Sequence, residues 1–183
     1  SSLICISQSP QIMRVTLLGA GSWGTAMAAQ AARYLQAGEV CLWSRSAKQL
    51  EGIQQSGENT DYLPGVTLPA GLQLEDSFER AITRLSENDL LVIATPMSGL
   101  SQTVAQALQL AKHPLNIIWL CKGLEPSTAL LPHQVVDRED RLHNHGLQHA
   151  YGALSGPSFA QEVGNGMPCA CLLYTSPSPR DRG

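Results

Sequence analysis

No apolar run in this 183-residue chain approaches the roughly 20 residues that a membrane-crossing helix needs, so no span of that kind is expected. Positive charge is not in excess either. Twelve Lys and Arg stand against fifteen Asp and Glu, and a net charge of −3 offers no electrostatic footprint for nucleic acid. The five cysteines (Cys5, Cys41, Cys121, Cys169, Cys171) are odd in number and contain no CxxC pair. They read as small buried hydrophobes in a reducing cytoplasm rather than as disulfides or metal ligands, and Cys41 and Cys121 fall inside expected strands. The opening Ser1 to Pro10 has neither the cationic start nor the apolar stretch of a signal peptide. There are no internal repeats. What is present, 43% hydrophobic and 15% charged residues, is the composition of a globular protein. The length suits one domain, or one domain and part of another.

The feature that organises the chain is Val15-Thr-Leu-Leu-Gly19-Ala-Gly21-Ser-Trp-Gly24-Thr25, a short apolar run that ends in GxGxxG and opens into the helix formers Ala26-Met-Ala-Ala29. Gly19 suits a tight turn, Gly21 lets a pyrophosphate approach the backbone, and Gly24 lets the helix pack close to the strand. The free N–H groups at the helix start face the phosphates. Strand-like and helix-like segments alternate onward from there. Helices are expected over about 25–36, 48–55, 77–85, 100–111 and 128–142. Strands are expected over 39–43, 71–74, 90–95, 116–121 and 150–154. Leu90 to Thr95 is a continuous apolar run, as in a parallel strand covered on both faces. The fold class is α/β, a doubly wound parallel sheet (Rossmann-like). The charge run Asp137-Arg-Glu-Asp-Arg141 reads as the solvated end of its helix, and Ser158 with Gln161 has capping-box spacing.

Ligands in such a sheet bind beyond the carboxyl ends of the strands. After the second strand, Trp43-Ser44-Arg45 carries no carboxylate of the kind that grips the ribose hydroxyls of NAD. A guanidinium at Arg45 pairs readily with a 2′-phosphate, so NADP is favoured or at least tolerated; an exposed surface arginine is the plainer alternative. Thr95-Pro96-Met97, Lys122-Gly123 and Ser155-Gly156-Pro157-Ser158 follow the later strands. By position alone Lys122 is balanced between ligand contact and a solvated charge, and the Ser-Gly-Pro-Ser turn reads foremost as a helix entry.

With these segments in order, the chain resembles the bacterial-type NAD(P)-dependent glycerol-3-phosphate dehydrogenases. The resemblance runs from Met13 to about Ala170, through Gly19 to Thr25, Trp43-Ser-Arg45, Tyr62-Leu-Pro-Gly65, Cys121-Lys-Gly-Leu-Glu125 and Leu154-Ser-Gly-Pro-Ser-Phe-Ala160. It implies interconversion of dihydroxyacetone phosphate and sn-glycerol 3-phosphate with NADP or NAD, feeding glycerophospholipid synthesis in the cytoplasm. It also implies that Ser22, Trp23 and Arg45 contact the dinucleotide. Lys122 lies against both nicotinamide and substrate, Gly156 and Ser158 contact glycerol phosphate, and Ala160 touches the cofactor. The family's helical second half, which carries the general acid/base lysine, is missing from this stretch, so the chain alone is expected to be inactive. A homodimer is among the states allowed to the full-length protein.

Met13 is the expected start, with residues 1–12 a disordered leader and 13–170 an incomplete NAD(P)-binding domain. Residues 171–183, Pro/Ser-rich and aperiodic, resemble a translated sequencing adapter and are expected to form a disordered, non-native tail. The stretch Leu131 to Ala150 is longer than usual for the family. Its His143, His145 and His149 lack a matching cysteine or carboxylate and read as exposed loop residues rather than metal ligands. Two other functions stay open on sequence: a non-catalytic dinucleotide-binding module, and a dehydrogenase of a different hydroxyacid. Lys122 and the Gly156-Pro157-Ser158 group speak against the last.

Overall fold

The computed structural model describes residues 2–4, 14–155 and 171–174. Six strands run parallel: β2 (Val15–Leu18), β3 (Val40–Trp43), β4 (Gln73–Glu75), β5 (Leu90–Ile93), β6 (Asn116–Trp119) and β7 (Ala150–Ser155). Their spatial order is β4-β3-β2-β5-β6-β7, so the winding reverses between β2 and β5. The connecting helices are α1 (Ser22–Tyr34), α2 (Ala47–Ser56), α3 (Phe78–Thr83), α4 (Met97–Leu110) and α5 (Pro132–His143).

Why the strands are apolar throughout follows from their side-chain period of two. Leu90 and Val92 pack with Met27, Ala28 and Ile53 of α1 and α2, whereas Leu91 and Ile93 pack with Ile82, Leu100, Val104 and Val135 of α3 to α5. Each face of the sheet is thus covered by its own helices, and a polar residue on either face would be buried. The buried Thr16 is such a case, and its hydroxyl donates to the Ala81 carbonyl at 3.0 Å.

Helix ends follow local chemistry. Ser46 and Ser77 cap α2 and α3 by accepting from the Gln49 and Arg80 amides, each at 3.2 Å. α2 stops at Gly57, whose φ of 75° suits glycine. Two helices begin earlier than periodicity suggests, α1 at Ser22 and α4 at Met97, because the turn residues themselves form the first helical turn.

Four expectations are corrected. The charge run on α5 is not a solvated end: Glu139 is 7% exposed and Asp140 is fully buried, on the face shared with Val135 and Val136, and the Tyr151 hydroxyl donates to Asp140 Oδ1 at 2.6 Å. His149 is buried rather than exposed, and its Nδ1 accepts from the Leu115 amide at 3.0 Å. Cys121 lies two residues beyond β6 and is half-buried, whereas Cys41 sits within β3 as expected. Burial pushes both thiols up to about 11.

The fourth concerns residues expected to lack regular structure. β1 (Ser2–Ile4) and β8 (Cys171–Tyr174) pair antiparallel with one another, and β8 pairs antiparallel with β7. The short apolar stretches Leu3-Ile4 and Leu172-Leu173 offer strand-compatible backbone to an otherwise open sheet edge. Isolated runs of that length carry too little periodicity to be read as strands. No helix among the described residues is long and apolar enough to cross a membrane.

Candidate functional site

A cleft of about 820 Å³ opens where the strand order reverses, beyond the carboxyl ends of β2, β3, β5 and β6. Its floor is the glycine turn. Gly19 has φ 116°, and a Cβ there would lie 3.0 Å from the Ala94 carbonyl group. A Cβ on Gly24 would collide with the Gly19 carbonyl and stand 2.9 Å from Ala94 Cβ, so this glycine is required for α1 to meet the sheet. Gly21 differs from both. Its φ of −77° strains no residue, and a Cβ there would meet nothing within 4 Å. The protein itself gives no reason for glycine at 21, and the open space faces the cleft.

The turn is held from outside by residues that sequence reasoning missed. The Ala20 carbonyl accepts from Asn59 Nδ2 and from Gln49 Nε2, both at 2.8 Å. Asn59, 1% exposed, also donates to Thr25 Oγ1 at 2.9 Å. Gln49 Oε1 in turn accepts from the Ser44 hydroxyl at 2.7 Å, which ties the turn to the end of β3. Ser22 Oγ donates to the Tyr62 carbonyl at 2.6 Å and anchors the loop over the helix start. The only sequence signal for Asn59 was its place in a turn-rich segment, where an asparagine is ordinary.

Electrostatics favour an anion. No side chain caps the start of α1 and its first turn carries no acid, so the first amides and the positive end of the helix dipole face the cleft. Arg45, exposed on the wall after β3, has no carboxylate partner among the described residues. The nearby carboxylates at the end of β4 are already engaged: Arg80 donates to both oxygens of Glu75 at 3.0 Å and to Asp76 Oδ1 at 3.3 Å. The Arg80 hydrogen bonds hold the Glu75 carboxyl below its ordinary range. Trp43 and Phe78, edge-to-face with centroids 5.2 Å apart, give that wall an aromatic surface.

On the opposite wall, Thr95 Oγ1 is buried without a hydrogen-bond partner among the described residues. A buried hydroxyl left unpaired costs on the order of 1–3 kcal/mol, which a polar ligand in the cleft would recover. Cleft volume, open Gly21, uncapped amides and this hydroxyl together fit an extended dinucleotide. Gly19, Gly21, Ser22, Trp23 and Arg45 all line the cleft, and Gly24 supports it from behind. Lys122 follows Cys121, the last lining residue on its side, and is exposed. It stands three residues past β6, on the same edge of the sheet as the glycine turn and two strands away. Gly156, Ser158, Ala160 and the Ser158–Gln161 cap lie outside the described residues. His143 is not among the residues that line this cleft; its Nδ1 accepts from Gln109 Nε2 at 3.2 Å.

Comparisons with known proteins agree with this geometry. Residues 14–179 match the family described as NAD-dependent glycerol-3-phosphate dehydrogenase N-terminus, past the position near Ala170 where the resemblance was expected to stop. A glycerol-3-phosphate dehydrogenase [NAD(P)+] of Polynucleobacter necessarius is 70% identical over 168 residues, covering 92% of this chain and 49% of that protein. The crystal structure of glycerol-3-phosphate dehydrogenase from Coxiella burnetii is 30% identical with a TM-score of 0.72, covering 87% of this chain and 46% of the other. The yeast glycerol-3-phosphate dehydrogenase structure, from Saccharomyces cerevisiae, is 25% identical with a TM-score of 0.70, covering 92% and 49%. The chain spans about half the length of the curated relatives it matches. It belongs to the NAD-dependent glycerol-3-phosphate dehydrogenase family, in the N-terminal region that forms the family's doubly wound sheet.

Proposed function

We propose that this chain is the cofactor-binding half of an oxidoreductase that interconverts dihydroxyacetone phosphate and sn-glycerol 3-phosphate with NADP or NAD. The observation that carries it is Gly21, a glycine with no packing or dihedral requirement, open to an anion-favouring cleft at the sheet's switch point. When bound, the dinucleotide supplies the hydride that reduces the C2 carbonyl of the ketose phosphate.

The chain's own residues divide the remaining work. The amides of the glycine turn and of Ser22 and Trp23 hold the diphosphate. Arg45 offers its guanidinium to a 2′-phosphate, which makes NADP acceptable where a carboxylate would repel it. Lys122 donates a hydrogen bond to the carbonyl oxygen and stabilises the negative charge that develops there. Gly156 and Ser158 grip the glycerol phosphate, and Ala160 abuts the cofactor. The proton comes from a general acid/base lysine in the family's helical second half. On this reading the protein acts in the cytoplasm, in the supply of glycerophospholipid backbones.

The test separates binding from turnover. The purified chain is expected to enhance NADPH fluorescence on titration, yet not to reduce dihydroxyacetone phosphate at the rate of a full-length enzyme. Absence of NADPH and NADH binding would overturn the cofactor assignment, and turnover at a full-length rate would overturn the division between the two halves.

A further inference from the structure

Between the end of β6 and the start of α5 the chain has no regular secondary structure, yet the segment bearing Lys122 is pinned. Its hub is Glu125, 9% exposed. The Glu125 carboxylate accepts from Arg138 Nη1 at 2.9 Å, Arg138 Nη2 at 3.0 Å and Thr128 Oγ1 at 2.6 Å. Its main chain closes the same turn: the amide donates to the Leu130 carbonyl at 2.8 Å, and its carbonyl accepts from the Ala129 amide at 2.8 Å. Arg138, on α5, also donates through Nη2 to Ser101 Oγ on α4 at 3.0 Å and lies 3.4 Å from Glu139 Oε2.

Joining α4 to α5 does not require these charges. Leu100, Val104 and Leu108 of α4 already share a buried apolar cluster with Val135 and Val136 of α5. What the bidentate pair adds is a fixed relation between two strand-end segments. One is the loop after β6, three residues downstream of Lys122. The other is the start of α4, which follows Thr95 and Pro96 on the cleft wall. Arginine suits this task because its planar fork locks a carboxylate in orientation as well as distance.

We propose that Glu125 and Arg138 are positioning residues that hold the Lys122 segment against the cleft, so that the ammonium meets the nicotinamide end of the bound dinucleotide. The inference rests on the assignment of Lys122 to the cofactor and substrate.

The experiment uses the purified chain, NADPH as the probe, and two readouts. Acetylation of Lys122 by N-hydroxysuccinimidyl acetate, followed by peptide mass spectrometry, reports shielding by NADPH. Fluorescence titration reports affinity. In the unaltered chain NADPH is expected to shield Lys122. K122Q is expected to weaken NADPH binding about tenfold, the loss of one charge-assisted hydrogen bond. E125Q and R138M are expected to abolish the shielding while Lys122 is still present, and to weaken binding by a comparable factor. The double variant K122Q/R138M then binds no more weakly than K122Q alone, whereas independent losses would multiply to about a hundredfold.

Should R138M fail to fold, R138K keeps the charge, loses the bidentate geometry and must show the same pattern. Multiplicative losses, or intact shielding in E125Q and R138K, overturn the positioning role while leaving Lys122 in place. Failure of NADPH to shield Lys122 in the unaltered chain, with K122Q binding normally, overturns the Lys122 assignment itself.

Discussion

Replacing Gly21 and Gly24 separately by alanine asks whether one motif serves two masters. At Gly24 the added methyl would collide with the Gly19 carbonyl and press on Ala94 Cβ at 2.9 Å, and both neighbours belong to the turn and strand rather than to flexible side chains. Overpacking of that kind costs roughly 1–3 kcal/mol, and a chain of this size loses about 2–4 °C of melting temperature per kcal/mol. G24A is therefore expected to melt roughly 2–12 °C lower. At Gly21 the methyl enters open space on an unstrained backbone. The lower N-cap preference of alanine and the reduced entropy of the unfolded chain offset each other to within about 1 kcal/mol. G21A should melt near the unaltered chain, yet its methyl displaces a diphosphate from at least one amide. One such charge-assisted bond is worth about 1.5–3 kcal/mol, or roughly 10- to 100-fold in affinity. Thermal denaturation and NADPH fluorescence titration on both variants complete the test. A G21A variant that melts as low as G24A, or binds NADPH unchanged, would refute the reasoning.

Other outcomes follow from the same geometry. R45Q should weaken NADPH binding about fivefold, the ~1 kcal/mol of an exposed ion pair, and leave NADH binding unchanged in parallel titrations. Hydrogen bonds from Arg138 and Thr128 hold the Glu125 carboxyl down to about 2. A depressed folded-state value contributes stability that is present above the ordinary carboxylate range and lost as pH falls from about 4.5 toward 2. Melting curves should therefore show a steeper loss across that window in the unaltered chain than in E125Q; equal slopes would count against the pair. Cys121 lines the cleft but its thiol is pushed up to about 11 by burial, so its alkylation by iodoacetamide at pH 8 should run about tenfold slower than that of an ordinary cysteine, the smaller thiolate fraction being partly offset by the greater nucleophilicity of a more basic thiolate. Peptide mass spectrometry over time would measure this.

The winding of the sheet was legible because buried parallel strands write themselves as unbroken apolar runs, as Leu90 to Ile93 does, and the glycine spacing marked the cleft floor. The place of Arg45 on the cleft wall was legible for a different reason: it stands just beyond β3, at a position where the fold makes the lack of an acid conspicuous. Burial of Asp140 was not. Five consecutive charged residues look solvated until Tyr151, on the next strand, is seen to place its hydroxyl against the carboxylate. Asn59 escaped notice similarly, since its partners Ala20 and Thr25 are over thirty positions away and only folding brings them within reach. Local pattern predicts what neighbours along the chain decide. Long-range polar contacts obey no period.

The double engagement of the Ala20 carbonyl by Asn59 and Gln49 has a kinetic side. With that oxygen satisfied by two amide donors, the glycine turn that the proposed function assigns to the diphosphate is held in shape by the protein's own contacts. The ordering cost is met during folding, not at capture. Cofactor entry should accordingly be a single-step docking event, whose rate rises in proportion to nucleotide concentration without the plateau that a slow rearrangement would impose.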